Sequence, residues 1–510
     1  MHDDFEYGAR DATASVDVNF RVPRCNAWRA ATATAFLACV PTCADAHAWN
    51  IPYYLPVPLW LYAYAATGTL VVSFMILAFA SGSGSGARVP DTRAPAIRWR
   101  WEWRIPAVAL AAGQAASLGF VVLLIVSGLA GTQNPFVNLS MSGFWLWFYL
   151  GSIYVSAVFG DLYALTNPFA LMLRLAARCV PGIDRGRYRY PRGLASYPAL
   201  LAYVALIALE LFGAARPRDA SLFLVGYAIC ALAGSSCFGR DVWLRHFDAF
   251  GILCGLCARL SPFEWRRVSA REISIRLRNP VAVMASEPPF DASLVIFLSF
   301  MLSSTAYDGL RDTAVWNTFF WRGIDPLIVA VFPVLKNDYA IAGDLVLAGQ
   351  WATFALVGLA YHGLFRGFCA LGAAGSRAAL DGNAFARQFC LLLLPIALFY
   401  NVCHYFTLFI DQGRQIVSLL SDPLGIGWNL LSIEPAQVAP TALLIDVGYI
   451  WHAQVLLILA GHVLSVVVTH AIAVRHRVLA GTVVLNQLPL LVLTIALTIS
   501  GLWILSLPLA

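Results

Sequence analysis

Long apolar stretches recur along the whole chain and alternate with short polar segments. A helix needs about 20 apolar residues to cross a bilayer, and ten stretches approach or exceed that length. We predict spans at 59–80, 106–130, 143–160, 196–214, 220–238, 291–307, 341–362, 389–410, 445–470 and 480–508. Residues 244–262 are also apolar, but they include Arg245, Asp248 and Arg259, so we predict a surface or re-entrant helix on the inner side. The pattern predicts an all-α, polytopic membrane helix bundle.

Arginine is concentrated in every second loop, and this bias predicts which way the helices run. Cytoplasmic loops carry an excess of Lys and Arg. The arginine-rich loops, predicted to lie inside, are 81–105, 161–195, 239–290 and 471–479. The arginine-poor loops, predicted to lie outside, are 131–142, 308–340 and 411–444. We therefore predict a multi-pass protein of a bacterial inner membrane, with both ends of the mature chain outside.

Composition agrees with a lipid environment. The chain of 510 residues is 60% hydrophobic and 12% charged, whereas soluble domains carry about 25% charged residues. The net charge of +6 is explained by the inner loops, so we do not expect a nucleic-acid partner. The sequence has no GxxxxGK[ST] loop, GxSxG elbow or HExxH motif, which argues against ATP-driven transport by this chain alone.

The N-terminal region has the order of features found in a signal peptide. Arg21, Arg24 and Arg29 precede an apolar run at 30–40, which is followed by Ala-Asp-Ala at 44–46. Signal peptidase accepts small residues in such a pattern. We predict an N-terminal extension and signal peptide at 1–46 and a single transmembrane helical domain at 47–510; an uncleaved first helix is the alternative. After cleavage, the amine and imidazole of His47 could chelate copper.

Histidines inside the last spans are the first candidates for chemistry. His404 is predicted roughly 10 Å below the outer end of the eighth span, at 1.5 Å per residue. The ninth span carries His452, His462 and His470. Imidazoles on neighbouring helices can bind a divalent metal that activates water, or they can hydrogen-bond between helices as packing groups. We predict His404 and His462 as metal ligands, with the identity of the metal open.

Acidic residues near the outer side complete the candidate set. Asp308 ends the sixth span on the side where His404 emerges, and we predict it as a metal ligand or a general base. Asp308 and His404 are therefore the predicted catalytic pair. Glu210 lies inside the fourth span, where a charge is costly, so we expect it to be protonated or paired. Asp411 and Asp422 lie in a turn-rich outer loop, which is either a lid or an ordinary connection.

Several motifs together resemble a bacterial family of polytopic membrane proteins, the fenitrothion hydrolases. The matching strings are HYF, DQGRQ and SDPLGIGWN, with LPVPLWLYAYAA, VVSF, NPFVN, FGDLYALTNPF, TAYDGL and GHVLSVVVTH, and they extend from His47 to about His476. Ala471 stands where an acidic residue is expected after the last histidine. The resemblance implies hydrolysis of organophosphorus triesters at the phosphorus–aryloxy bond, and a second, homologous membrane subunit as a partner.

Three functions remain open at this point. The first is a membrane-embedded hydrolase of an apolar small molecule that enters from the bilayer, with a metal-bound hydroxide as the nucleophile. The second is a transporter that uses the same buried polar groups, although we find no clear pair of repeated, broken spans. The third is a metal-handling or assembly subunit that uses His47.

Overall fold

A computed structural model describes most of the chain. The described residues are 56–82, 103–213, 215–267, 272–333, 339–375, 381–432, 447–475 and 483–507. The predicted signal peptide, its cleavage site and His47 lie outside the described residues. The same holds for the predicted boundary between residues 46 and 47.

Helices dominate the described residues. They are α1 (Leu59–Gly82), α2 (Ala107–Ala130), α3 (Leu139–Phe159), α4 (Leu162–Thr166), α5 (Pro168–Cys179), α6 (Tyr197–Phe212), α7 (Pro217–Phe238), α8 (Arg240–His246), α9 (Ala249–Cys257), α10 (Pro280–Ser286), α11 (Ala292–Arg311), α12 (Ala314–Phe319), α13 (Asp325–Val331), α14 (Tyr339–Ala374), α15 (Gly382–Phe389), α16 (Leu393–His404), α17 (Phe406–Asp411), α18 (Ile416–Ser421), α19 (Val447–Arg475) and α20 (Val483–Ser506). Among the described residues, ten helical segments are long and apolar enough to cross a membrane: α1, α2, α3, α6, α7, α11, α14, the joined α15–α16, α19 and α20. The prediction of an all-α polytopic bundle with ten spans is confirmed.

The eighth span ends earlier than its hydropathy predicts. The apolar run continues to residue 410, but the helix stops at His404, and Tyr405 (φ −91°, ψ 9°) separates it from α17. The prediction that His404 lies roughly 10 Å below the helix end is therefore wrong, because His404 is the last residue of α16. The side chains of His404 and Tyr405 both bond to other helices, and hydropathy alone cannot register such contacts.

The predicted inner side contains short elements that a search for spans overlooks. Residues 244–262 include the end of α8 and all of α9, which are shorter than the candidate spans. Their position on the inner surface stays a prediction. A small antiparallel sheet in the order β1–β3–β2 also lies among the described residues, built from β1 (Trp103–Pro106), β2 (Phe263–Arg267) and β3 (Glu272–Leu277). Trp103 pairs with Ile275, and Phe263 pairs with Leu277. The alternating residues Ile273, Ile275 and Leu277 are the period-2 signal that would have predicted β3.

Burial divides the spans into an inner and an outer group. In the most apolar windows of α11 and of Gly382–His404, 72% and 83% of residues are buried within the protein. The corresponding shares are 17% for Leu59–Phe79 and 11% for Val108–Ala130. Helix α11 packs against α6, α14 and α16, and α16 also packs against α19. The centre of the bundle is therefore where polar side chains can meet without facing lipid.

Candidate functional site

The carboxyl-terminal ends of three central helices bring the candidate residues together. Glu210 lies in the last turn of α6, Asp308 and Arg311 lie in the last turn of α11, and His404 is the last residue of α16. Tyr405 follows immediately. A helix carboxyl terminus carries partial negative charge, which favours cations and disfavours carboxylates. The cluster, defined as these five residues, is at the end of the bundle that the loop charges predict to face outward.

His404 and Asp308, the predicted catalytic pair, are in direct contact. The Nε2 atom of His404 lies 2.7 Å from Oδ2 of Asp308. The Asp308 side chain is 2% exposed and that of His404 is 19% exposed. Among the described residues, the other ring nitrogen, Nδ1, has no hydrogen-bond partner. A neutral imidazole that donates Nε2–H to Asp308 presents Nδ1 as an acceptor, so the arrangement suits a base held by a carboxylate.

Tyr405 joins the two buried carboxyl groups. Its hydroxyl lies 2.7 Å from Oε1 of Glu210 and 3.1 Å from Oδ2 of Asp308. Glu210 was predicted to be protonated or paired, and this contact supplies its partner. Sequence reasoning did not select Tyr405, because tyrosines are common in spans; its position directly after His404 was the available signal.

Arg311 supplies positive charge on the Asp308 side of the cluster. Its Nε atom lies 4.0 Å from Oδ1 of Asp308 and 3.2 Å from Oδ1 of Asp312. Its guanidinium also donates to the backbone carbonyl of Leu211, at the end of α6. Arg311 therefore ties α11 to the carboxyl terminus of α6 and partly balances the aspartates.

A glycine keeps the space beside His404 narrow but open. A Cβ atom on Gly309 would lie 3.4 Å from Nδ1 of His404, 3.4 Å from the hydroxyl of Tyr400 and 3.1 Å from Cγ2 of Ile504. The Tyr400 hydroxyl is buried and has no hydrogen-bond partner among the described residues. Two polar atoms therefore flank this position, and any larger residue would crowd both.

Polar contacts deeper in the bundle position α16. The hydroxyl of Tyr154, on α3, donates to Oδ1 of Asn401 at 2.9 Å, and the Asn401 amide donates to Thr305 at 3.3 Å. Asn401 lies about one helical turn before His404, and Thr305 lies three residues before Asp308. These bonds link α3, α16 and α11 just below the cluster, so His404 and Asp308 are held on anchored helices.

The three histidines of α19 have separate partners. Nδ1 of His462 bonds to the Ile458 carbonyl at 2.7 Å, and its buried Nε2 has no partner among the described residues. His470 contacts Gln487 on α20 at 3.2 Å. His452 is exposed and contacts Tyr62 on α1 at 3.3 Å. Among the residues that the structure describes, no group of three or more His, Cys, Asp and Glu side chains could hold a metal, so a site made of His404, His462 and Asp308 stays a prediction.

The two loop aspartates have local roles. Asp422 accepts hydrogen bonds from the backbone of Ile426 at 3.1 Å and of Gly427 at 2.7 Å, which closes a turn. Asp411 pairs with Arg414 at 3.5 Å. The loop also bonds to the loop after α2, where the backbone amide of Thr132 donates to the Leu424 carbonyl at 2.8 Å. These contacts favour the ordinary-connection interpretation over the lid.

Comparisons with models of known families, with curated proteins and with solved structures found no match for this chain. The resemblance to fenitrothion hydrolases therefore stays a prediction. The candidate site is the cluster, in which Asp308, His404 and Glu210 meet together with Tyr405 and Arg311.

Proposed function

We propose that this protein is a membrane-embedded hydrolase of apolar organophosphorus triesters, with His404 as its general base. The observation that carries the proposal is the 2.7 Å contact between His404 and Asp308, which leaves Nδ1 available as an acceptor. A base must reach the proton that it removes, and a carboxylate that holds the imidazole favours the reactive tautomer.

A balanced hydrolysis can be written with that geometry. Nδ1 of His404 takes a proton from water, and the hydroxide oxygen forms a bond to phosphorus. The phosphorus–aryloxy bond breaks, and its electron pair leaves with the aryloxide. Asp308 stabilises the imidazolium, which then returns the proton to the aryloxide. Water and triester thus become a phosphodiester acid and a phenol, with atoms and charges balanced.

The substrate class comes from the resemblance to fenitrothion hydrolases, and the location of the cluster is compatible with an apolar substrate. An apolar triester partitions into the bilayer, and His404 lies at the end of a predicted span with a partly exposed side chain. We infer an inner-membrane location with the cluster facing outward, which the distribution of arginine among the loops supports. A second, homologous subunit is part of the proposal as an expectation from the resemblance.

We favour direct base catalysis over the metal-assisted form. Nε2 of His404 and Oδ2 of Asp308 are 2.7 Å apart, which is hydrogen-bond distance and leaves no room for an ion between the two atoms. A single ion bound by both side chains would require that hydrogen bond to break, whereas an ion bound at Nδ1 alone would leave it in place. Metal analysis of active, detergent-purified protein separates the two forms, since loss of turnover on metal removal would favour the metal.

The proposal is tested with fenitrothion turnover by purified His404→Ala. We expect kcat to fall by about 10²–10⁴-fold. The matched control is His452→Ala, which removes an exposed histidine of α19 and should retain turnover. Full activity of a folded His404→Ala protein would disprove the assignment of the base. No turnover by the wild type, alone and together with its homologous subunit, would disprove this substrate class.

Proton-coupled transport is the second candidate function. It is favoured by the continuous contact of Glu210, Tyr405, Asp308 and His404 across three helices, because such chains can relay protons. Proteoliposomes with an internal pH dye test it: substrate-dependent acidification that is lost in Asp308→Asn, without hydrolysis, would support transport.

A metal-handling role for His47 concerns residues outside those described, and N-terminal sequencing tests its premise.

A further inference from the structure

The Tyr405 hydroxyl faces two carboxyl groups but has only one proton to donate. Its oxygen lies 2.7 Å from Oε1 of Glu210 and 3.1 Å from Oδ2 of Asp308. An ionised carboxylate accepts hydrogen bonds and cannot donate one. If both carboxyls were ionised, one contact would be a repulsion between lone pairs. Both contacts are hydrogen bonds only when one carboxyl carries a proton and donates it to the tyrosine oxygen.

The partners of the two carboxyls decide which one carries that proton. Asp308 accepts from His404 at 2.7 Å and has Arg311 at 4.0 Å. Glu210 has only Tyr405 on Oε1, and its Oε2 is buried without a hydrogen-bond partner among the described residues. Positive charge and donors stabilise the ionised form, so Asp308 holds the negative charge.

The helix ends disfavour two ionised carboxyls at this place. Glu210 lies in the last turn of α6 and Asp308 in the last turn of α11, where the partial negative charge of each helix opposes a carboxylate. The Leu211 carbonyl, in the last turn of α6, accepts from Arg311. With Glu210 neutral, the formal charges of Asp308, Asp312 and Arg311 sum to about −1, and protonation of His404 brings the sum close to zero. With Glu210 ionised and His404 neutral, the sum including Glu210 would be about −2, with no further cation in the cluster to balance it.

We infer that Glu210 is protonated in the resting protein and shares its proton with Asp308 through the hydroxyl of Tyr405. The order of donors is Glu210 to Tyr405 and Tyr405 to Asp308. Glu210 is therefore a positioning residue: its neutral acid directs the tyrosine proton to Asp308 and leaves the ionised carboxylate beside His404. This proton-holding site does not depend on the proposed hydrolysis.

Infrared difference spectroscopy of the full-length protein in lipid nanodiscs tests the assignment. The wild-type minus Glu210→Gln spectrum should contain the carbonyl stretch of a protonated carboxylic acid, which shifts in deuterium oxide. Labelling of the glutamate side-chain carboxyls with carbon-13 should shift that band. No band, or a band that the label leaves in place, would overturn the inference, because Glu210 would then be ionised or the proton would belong to an aspartate.

Tyr405→Phe tests whether Glu210 shares its proton with Asp308 through the tyrosine hydroxyl. Removal of the hydroxyl takes away the acceptor for Glu210, so the acid band should move to higher frequency. An unmoved band would overturn the route through Tyr405.

Glu210→Gln should retain its fold, because the amide can still donate to Tyr405, whereas Glu210→Ala should lower the melting temperature. A melting temperature of Glu210→Gln as low as that of Glu210→Ala would contradict a neutral Glu210.

Discussion

Two aspartates are buried among the described residues, Asp248 and Asp308, each beside a tyrosine, and their surroundings differ in kind. Asp248, at the start of α9, is fully buried and accepts from Tyr227 at 2.7 Å, Asn167 at 2.6 Å and the Gly251 amide at 3.1 Å. The Tyr227 hydroxyl in turn accepts from the Ala249 amide at 2.9 Å. Every group there has a partner that complements it.

The cluster around Asp308 lacks such a complete set of complementary hydrogen-bond partners. Tyr227 lies between one acceptor and one donor, whereas Tyr405 lies between two carboxyls. His404 keeps Nδ1 available, and Oε2 of Glu210 has no partner among the described residues. Neutral hydrogen-bond donors complete the Asp248 site, which is the arrangement of a helix cap. In the cluster around Asp308, these two atoms accept no hydrogen bond among the described residues, and one proton has to be assigned to one of the two carboxyl groups. Such incomplete pairing is expected of a site that reacts.

The pKa of Asp248 reflects the same balance. Burial raises the pKa of this carboxyl above its ordinary value of 3.8, and the hydrogen bonds from Tyr227 and Asn167 act in the opposite direction. A completed cap therefore limits the electrostatic cost of burial, and we assign Asp248 a structural role.

Exchange of each aspartate for asparagine should separate activity from stability, and the largest effect should be on turnover. Asp308→Asn removes the charge that holds and stabilises the His404 imidazolium, so we expect fenitrothion turnover to fall by about 10²–10⁴-fold. The measurement is kcat of the purified protein, with Asp248→Asn as the control. Equal losses in the two folded variants would remove the distinction between the sites.

The free energy of unfolding should fall more in Asp248→Asn than in Asp308→Asn, which reverses the order expected for turnover. Asparagine at position 248 offers one acceptor oxygen where the carboxylate offers two, so one buried donor loses its partner. We expect the free energy of unfolding to fall by about 1–3 kcal/mol, seen as a lower melting temperature in detergent. A smaller loss is expected for Asp308→Asn, because His404 and Tyr405 both contact Oδ2 of Asp308, and the single amide oxygen of asparagine can still accept from both. A melting temperature unaffected by Asp248→Asn would show that the cap is dispensable.

The smallest effect should come from Gly309→Ala. Its Cβ would lie 3.1 Å from Cγ2 of Ile504, a tight contact, and 3.4 Å from Nδ1 of His404, so the methyl group occupies the space beside that nitrogen. We expect turnover to fall by about tenfold, since small misplacements of reacting groups are costly. Gly226→Ala on α7, where a Cβ meets nothing within 4 Å, is the matched control. Similar turnover in both variants would mean that the space beside His404 is not used.

Much of the fold is readable from local sequence. Each span is a continuous run of apolar residues, and such a run can be recognised from its own hydropathy without reference to the rest of the chain. All ten spans were therefore predictable from hydropathy. The same reasoning selected Asp308 and His404, because ionisable residues in or at the ends of apolar spans are rare. The small sheet was not predicted, and it shows what local sequence does not reveal. Strand β3 has a clear alternating pattern, but its partner β1 (Trp103–Pro106) is more than 160 residues away in the chain.

The chain sequence by itself determined which helices form and which rare polar residues they carry. Only the tertiary structure decided that α6, α11 and α16 end together, that Tyr405 lies between Glu210 and Asp308, and that His404 bonds to Asp308 while His462 bonds to its own helix. The reason is physical: hydropathy and helical period are properties of neighbouring residues, whereas the pairing of helix ends depends on packing between segments far apart in the chain. A polar residue's role is set by the partner it meets there.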